Sequence, residues 1–194
     1  MFLLPKSFLR VKKTKEKGYG VFAKNKIERG TVIGDYLGKI ISNAEYNVED
    51  DKQGLYLMYL SDYASIYPDL SKHGPHLVNH SCVPNCWIYL YNGHTLFYAI
   101  KDIEAGEELT ISYLLSPNEG TCSPCSHACL CKSKDCTGTM HLSKNKYKLW
   151  SKFQNRERQK TKKIADEFGT FLPPLLYYPK TLPINPIYQK IYSV

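Results

Sequence analysis

Apolar and polar positions alternate in short blocks through the first three fifths of the chain. The runs "GYGVFA", "TVIGDYLGKII", "LYLMYL", "CWIYLY", "TLFYAI" and "LTISYL" are rich in β-branched and aromatic residues and are separated by Gly, Asn, Asp or Pro. They predict strands between Ser7 and about Leu115. "IERG" (Ile27–Gly30) and "IEAG" (Ile103–Gly106) predict tight turns ahead of two of these strands. "SNAEYNVEDD" (Ser42–Asp51) predicts a short helix, with Ser42 as N-cap and Glu45 at the reciprocal capping-box position. No repeat is present, and the core is expected to be mainly β.

The pattern changes after Leu115. Residues 121–138, "TCSPCSHACLCKSKDCTG", carry too little apolar material to fold on a hydrophobic core of their own. Residues 143–168 predict a basic helix whose apolar stripe is limited to Tyr147, Trp150, Phe153 and Ile164. The final "LPPLLYYPKTLPINPIYQ" is rich in Pro and Tyr and is expected to lie extended on a surface or to remain disordered. Tyrosines at 177, 178, 188 and 192 raise the further expectation of a lid folded back over a groove.

Length and charge sharpen this picture. A chain of 194 residues suits one domain with an appended tail, and its 43% apolar content suffices for a core. The 16 tyrosines supply polar handles in that core or line a groove. No run approaches the ~18 apolar residues that span a bilayer. The opening "MFLLPKSFLR" is broken by Pro5 and Lys6 before it reaches signal-peptide length. An intracellular, reducing location is therefore expected. It would be the nucleus or chromatin in a eukaryote, and otherwise the cytoplasm or a host nucleus. The net charge of +8 is unevenly placed. Residues 1–29 carry +7, residues 30–143 carry −7, residues 144–163 carry +8, and residues 164–194 balance. The acidic middle attracts a basic ligand. The basic stretch 144–163 suits nucleic acid, although a solubilising face accounts for it equally.

The seven cysteines are an odd number, which favours metal or free thiols over a disulfide framework. Cys129, Cys131 and Cys136 have the spacing C-x-C-x4-C, which wraps a soft cation well. Structural zinc takes four tetrahedral ligands, so three cysteines leave one position open. Cys82 in "NHSC" is a candidate for it, and such a bond would pin the Cys-rich segment to the β-domain. Cys122, Cys125, Cys86 and His127 are rivals. Cys122-x2-Cys125 has a zinc-like spacing of its own, so a different ligand set or a second site stays open.

Several segments together resemble the SET-domain protein lysine methyltransferases. "KGYGVFA" (Lys17–Ala23) is similar to the first SAM-binding motif, and "GDYLGKIISNAE" (Gly34–Glu45) to the E-Y-x-G-E-x-I segment. "GLYLMYL" (Gly54–Leu60) is similar to the Y-L-F segment of the active site. "NHSCVPN" (Asn79–Asn85), "GEELTISY" (Gly106–Tyr113) and "CLCKSKDC" (Cys129–Cys136) match N-H-S-C-x-P-N, G-E-E-L-T-x-x-Y and the post-SET C-x-C-x4-C. Their order and separations agree across about residues 7–140, and three such motifs in order are far more specific than a lone G-x-G.

The resemblance implies a SET fold of small β-sheets with a C-terminal pseudoknot over residues 7–116, a zinc-bound post-SET segment over 121–140, and a basic helix and tail over 141–194. It implies that Cys82 joins Cys129, Cys131 and Cys136 on structural zinc. It implies S-adenosyl-L-methionine (SAM) as methyl donor, held by Lys17, Gly18, Tyr19, Asn79, His80 and Tyr113. It makes Tyr113 the catalytic tyrosine and Tyr56 a second channel tyrosine, with Tyr36 a weaker candidate. Asn85 is expected to fix the pseudoknot loop. Lys39 stands where the family usually has Glu, His76 where Arg is common, and Ile111 where Phe or Tyr often limits the number of methyls added. The function implied is methyl transfer to lysine in a basic protein such as a histone. The alternative is a catalytically inactive, zinc-stabilised chromatin or nucleic-acid binding module.

Overall fold

The computed structural model describes residues 1–44, 56–61, 63–120, 122–123, 125–161 and 168–192. The helix expected over Ser42–Asp51 lies mostly outside them. Ser42 itself ends a strand, and its hydroxyl accepts the Ala44 amide at 3.3 Å.

Four small sheets build the β-domain. β1 (Leu9–Lys13) and β2 (Tyr19–Ala23) form an antiparallel ribbon. β3 (Val32–Asp35) begins a second sheet. β4 (Gly38–Ser42), β5 (Met58–Tyr59) and β6 (Ala64–Pro68) make a third, in the order β4-β6-β5. β7 (Asn79–His80) stands apart from the hairpin that follows. β8 (Cys86–Tyr91) and β9 (His94–Ala99) form that hairpin and complete the second sheet, in the order β3-β9-β8. β10 (Thr110–Ile111) returns to pair in parallel with β7.

The turn chemistry places these strands. Asn92 and Gly93 both have positive φ, 48° and 81°, the geometry that matches the twist of a two-residue hairpin. The turns at "IERG" and "IEAG" form as expected: Gly30 and Gly106 are left-handed, and the two loops are joined through Ile27 and Ile103, which exchange backbone hydrogen bonds at 2.9 Å. The eleven-residue run "TVIGDYLGKII" is two strands rather than one. The chain breaks at Tyr36–Leu37, and Gly38 packs so closely on the Tyr67 backbone that a Cβ would lie 2.1 Å from its carbonyl oxygen. β6 falls within a stretch that shows no clear strand pattern in sequence, because Ala64, Ser65 and Ile66 are all buried and period-two alternation is lost.

β9 separates two cores. Phe97 and Ala99 face one cluster with Val21, Ile33, Ile66 and Leu109. Leu96 and Tyr98 face the other with Val32, Trp87 and Trp150. This two-sided burial is why "TLFYAI" reads as continuously apolar. The second core is covered by α1 (Lys144–Thr161) and α2 (Pro186–Tyr192). Tyr147, Trp150 and Phe153 of the predicted stripe pack there, while Ile164 lies outside the described residues.

The C-terminal tail lies extended on the surface over residues 169–182, as expected, and departs from that expectation after them. The extended residues are hydrogen-bonded along β3 and β4, with Val32 N donating to Lys180 O and Leu172 N to Gly38 O, both at 2.9 Å. The last turns are a helix. Asn185 caps it, its Oδ1 accepting the Ile187 amide at 3.0 Å, and Pro186 occupies the first helical position. Ile187, Tyr188 and Ile191 are buried. Tyr188 and Tyr192 each pack edgewise on Trp87 with centroids 5.7 Å apart. Tyr178 donates to Asp35 Oδ2 at 2.8 Å, and the same carboxylate oxygen meets His94 Nδ1 at 2.7 Å in the buried interior. Three of the four tail tyrosines are therefore structural, and Tyr177 is exposed. These contacts do not place them as a lid. Removing residues 182–194 strips the cover from Trp87 and Tyr98. Burying a large apolar side chain stabilises by about 1.5–3 kcal/mol, so the truncated chain is expected to lose several kcal/mol. Chemical denaturation of the two forms checks this.

Candidate active site and metal centres

β7 and β10 meet side by side, so the segments "NHSC" and "ELTISY" are adjacent although about thirty residues separate them in sequence. Asn85 locks the junction. Its Nδ2 donates to Glu108 O and its Oδ1 accepts the Thr110 amide, both at 2.8 Å. A polar cluster sits on the β2 side. Lys17 Nζ meets Glu108 Oε2 at 2.6 Å, with both side chains 20% exposed. Asn79 Nδ2 donates to Glu108 Oε1 at 2.8 Å and to Tyr19 O at 3.0 Å. Glu108 is thus the hub that holds Lys17 and Asn79. Sequence reasoning did not single it out, and the only signal was its place in "GEEL". The two glycines of the motif differ in role. Gly18 needs its positive φ of 70° for the turn and has open space around it. At Gly20 a Cβ would come within 2.7 Å of Glu108 Oε1 and 2.9 Å of Asn79 Nδ2, so the backbone must approach the cluster bare. Tyr19 contributes its carbonyl, while its side chain is exposed.

His80 and Tyr113 connect this cluster to a cavity. His80 is buried, and its Nδ1 accepts the Tyr113 amide at 3.1 Å. Burial first, and then the charge of Lys17, lower its pKa to about 4. It is therefore neutral near pH 7 with its proton on Nε2, which points to Cys82 Sγ at 3.7 Å. The Tyr113 ring stands edgewise to it at 5.3 Å. The Tyr113 hydroxyl donates to Val78 O at 3.4 Å. Burial, and secondarily Tyr56, raise its pKa to about 12.

Tyr113 lines a cavity of about 350 Å³ together with Tyr36, Met58, Ile111 and Leu115. Tyr147 and Trp150 of α1 close part of its wall, a placement the sequence did not indicate. Lys17 and Asn79 do not line this cavity. Tyr56 stands just outside it: its carbonyl accepts the Tyr36 hydroxyl, and its ring packs edgewise at 5.8 Å on His76, which does line it. The site thus has a polar half and an apolar half, joined at His80 and Tyr113.

His76 gives a pH prediction. Burial, then the N-terminal amine and His73, lower its pKa to about 4, against a small opposing effect of Asp69. Its folded pKa lies below the ordinary value of 6.5, so the unfolded chain takes up more protons between these limits. Stability is expected to fall as pH drops from about 6.5 towards 4, by less than about 1.4 kcal/mol per unit from this group. Urea midpoints for the wild type and His76→Asn should converge across that window.

Two groups of metal-ligating side chains converge beside the site. Cys82, Cys129, Cys131 and Cys136 bring their sulfurs within 4.8 Å of one another, with Cys82 and Cys129 at 3.6 Å. Gly138 N donates to Cys136 Sγ at 3.5 Å and Ser133 Oγ lies 3.1 Å from Cys131 Sγ, the kind of support thiolate ligands receive. This four-sulfur set fits tetrahedral zinc. Cys86 is excluded from it. It is buried, its thiol donates to Asn85 Oδ1 at 3.4 Å, and burial pushes its pKa up. Cys122, Cys125 and His127 belong to the second group, with His141. Among the described residues no helix is long and apolar enough to cross a membrane.

Comparison with known proteins agrees with this geometry. The family model for the SET domain matches residues 18–114, half of the chain. The chain is 34% identical over 153 residues to the variant-silencing SET domain-containing protein of Plasmodium falciparum, covering 70% of this chain and 6% of that protein. It is 35% identical over 157 residues to the H3 lysine-9 specific histone-lysine N-methyltransferase of Schizosaccharomyces pombe, covering 67% of this chain and 32% of that enzyme. It is 27% identical over 175 residues to the human H3 lysine-36 specific histone-lysine N-methyltransferase, covering 80% and 6%. The chain thus spans a third or less of the length of these relatives. Together with the paired motif strands and the four-cysteine cluster, the match shows that the chain belongs to the SET-domain family.

Proposed function

We propose that the protein transfers a methyl group from SAM to the side-chain amine of lysine in a basic protein, with histones as the substrate class. The observation that carries this reading is the juncture at His80 and Tyr113. There a half-buried tyrosine lines an apolar cavity within one strand pair of a cluster that offers both a cation and an anion. The donor set fits SAM. Its amino-acid end needs partners of both signs, which Lys17 and Glu108 supply, and the bare backbone at Lys17–Tyr19 allows close approach. Bound there, SAM supplies a methyl group on a cationic sulfonium.

The residues of the chain then have distinct tasks. Glu108 orients Asn79 and Lys17. Neutral His80 holds the Tyr113 backbone in place. The cavity walls remove water from the incoming lysine, whose amine is mostly protonated in solution at its ordinary pKa of ~10.4. Desolvation lowers that pKa and favours the nucleophilic free amine. Tyr113 and Tyr36 in the cavity wall present oxygens and ring faces that suit a partly cationic methylamine, and Tyr56 stands behind them, its carbonyl bonded to the Tyr36 hydroxyl. Ile111 sits in the cavity wall, where its bulk bears on how many methyls fit. The relatives' names specify different histone lysines, which leaves the target lysine to experiment. Nucleosomal DNA is proposed to meet α1 through the exposed Lys148 and Lys152. Lys144 is already paired with Glu119 at 2.7 Å, and Lys146 lies 5.0 Å over the Tyr192 ring.

Calorimetric titration with SAM tests the cofactor half directly. The wild type is expected to bind, and Asn79→Ala and Gly20→Ala to weaken binding by about tenfold or more, the scale of one or two lost hydrogen bonds to a charged ligand. Absence of SAM binding by the folded wild type, with salt-dependent DNA affinity retained, supports the binding-module alternative instead.

A further inference from the structure

The sequence of residues 116–142 has little apolar content, yet four soft or borderline ligand atoms from its described residues meet. Cys122, Cys125, His127 and His141 bring one donor atom each within 4.8 Å of all the others. Cys122 Sγ lies 3.2 Å from His127 Nδ1, Cys125 Sγ lies 3.8 Å from the same nitrogen, and Cys125 Sγ lies 3.5 Å from His141 Nε2. A tetrahedral zinc with ~2.3 Å bonds to sulfur and ~2.0 Å bonds to nitrogen sets sulfur–nitrogen edges of about 3.5 Å. The three observed separations scatter around that edge. The two imidazoles stand nearly perpendicular, at 88° with centroids 5.0 Å apart, so each ring can aim a different nitrogen at one point.

The tautomer of His141 supplies an independent observation. Its Nδ1 lies 2.5 Å from the Ser116 carbonyl oxygen, which can only accept, so Nδ1 carries the proton. In the neutral ring Nε2 is then an open lone pair, and it is this atom that faces Cys125 Sγ. A ligating histidine typically donates its other N–H to a carbonyl in this way.

We propose that Cys122, Cys125, His127 and His141 form a second structural zinc site, distinct from the four-cysteine site. It has two thiolates, two imidazoles and no open position, so its role is structural rather than catalytic. The two sites flank one short ladder. Met140 N donates to His127 O at 2.9 Å, and Cys129 N donates to Gly138 O at 3.0 Å, so residues two apart in sequence feed different centres. The second site also reaches the cavity. His141 is bridged to Leu115 and bonded to Ser116, and both of those residues line the cavity wall. Zinc here adds to the hydrogen bonds that tie the loop to the cavity rim at Leu115 and Ser116.

The test is metal content of the 194-residue chain after dialysis against zinc-free buffer, read by mass spectrometry as zinc per chain. Two equivalents are expected for the wild type. His141→Ala and Cys125→Ser are expected to keep one. His141→Cys, which retains a ligand, is expected to keep two. Cobalt substitution adds an optical check: the loss of one set of bands in His141→Ala should leave the four-sulfur set unchanged. A folded wild type holding a single equivalent overturns the proposal, whatever the variants do. Two equivalents that persist in both His141→Ala and Cys125→Ser overturn it equally.

Discussion

Replacing Tyr113 with Phe is expected to lower methyl transfer by about 10²- to 10³-fold while leaving the fold intact, the range found when one preorganised donor is removed from a reacting centre. The hydroxyl is the only atom lost. Among the described residues its hydrogen-bond partner is the Val78 carbonyl at 3.4 Å, a long contact, so the stability cost should stay within about 1 kcal/mol. Its raised pKa, pushed up to about 12 by burial, means that it stays an O–H donor throughout the neutral and mildly alkaline range. In the proposed reaction it would serve as a fixed dipole at the cavity wall rather than as a base. Single-turnover rates with labelled SAM, taken beside the thermal midpoint, separate a catalytic hydroxyl from a packed strand tyrosine. A rate unchanged by Tyr113→Phe places the chemistry elsewhere.

Cys82→Ser is expected to release the metal of the four-cysteine centre and to reduce transfer at least tenfold. The reason is position. Cys82 follows the β7 residues Asn79 and His80, while Cys129, Cys131 and Cys136 come from the C-terminal loop. A metal there closes a loop of nearly fifty residues, and its binding energy becomes folding energy for a segment without an apolar core. The substitution also replaces the sulfur that faces His80 Nε2 at 3.7 Å with a smaller hydroxyl. A strong chelator should reproduce the defect in the wild type. Cys86→Ser is the matched control. Cys86 is buried four residues further on with no place in the metal cluster, so its variant should keep its zinc. Equal zinc content in Cys82→Ser and wild type contradicts the assignment.

The parts of the site that rest on residue type and spacing were legible in the sequence. C-x-C-x4-C announces a soft-metal site because few other roles need thiols so close, and the ordered motifs brought Cys82 to it. The hairpin β8–β9 and both "I-E-x-G" turns were legible because Gly and Asn mark positive φ. What the sequence left dark depends on partners distant along the chain. Glu108 looks like the second of two exposed acids until Lys17 and Asn79 are seen on either side of it. The cysteine nearest to His141 in sequence, Cys136, belongs to the other cluster, and only folding brings His141 to Cys125. The end of the tail misled because proline-rich composition suggests exposure throughout. "NPI" is nonetheless a helix start, an N-cap followed by proline at the first position, and the isoleucines and tyrosines after it repeat at helical spacing. Their burial was invisible because the apolar surface they cover, centred on Trp87, sits about a hundred residues earlier.

This SET-domain chain is proposed to move methyl groups onto lysine from a site built around Tyr113. The most direct measurement incubates the zinc-loaded protein with methyl-labelled SAM and a panel of intact histones, nucleosomes and basic ribosomal proteins, with Tyr113→Phe alongside. Label on a lysine side chain, strongly reduced in the variant, is the predicted result, and it names the substrate at the same time. No label on any substrate from folded wild-type protein that holds its zinc contradicts the claim.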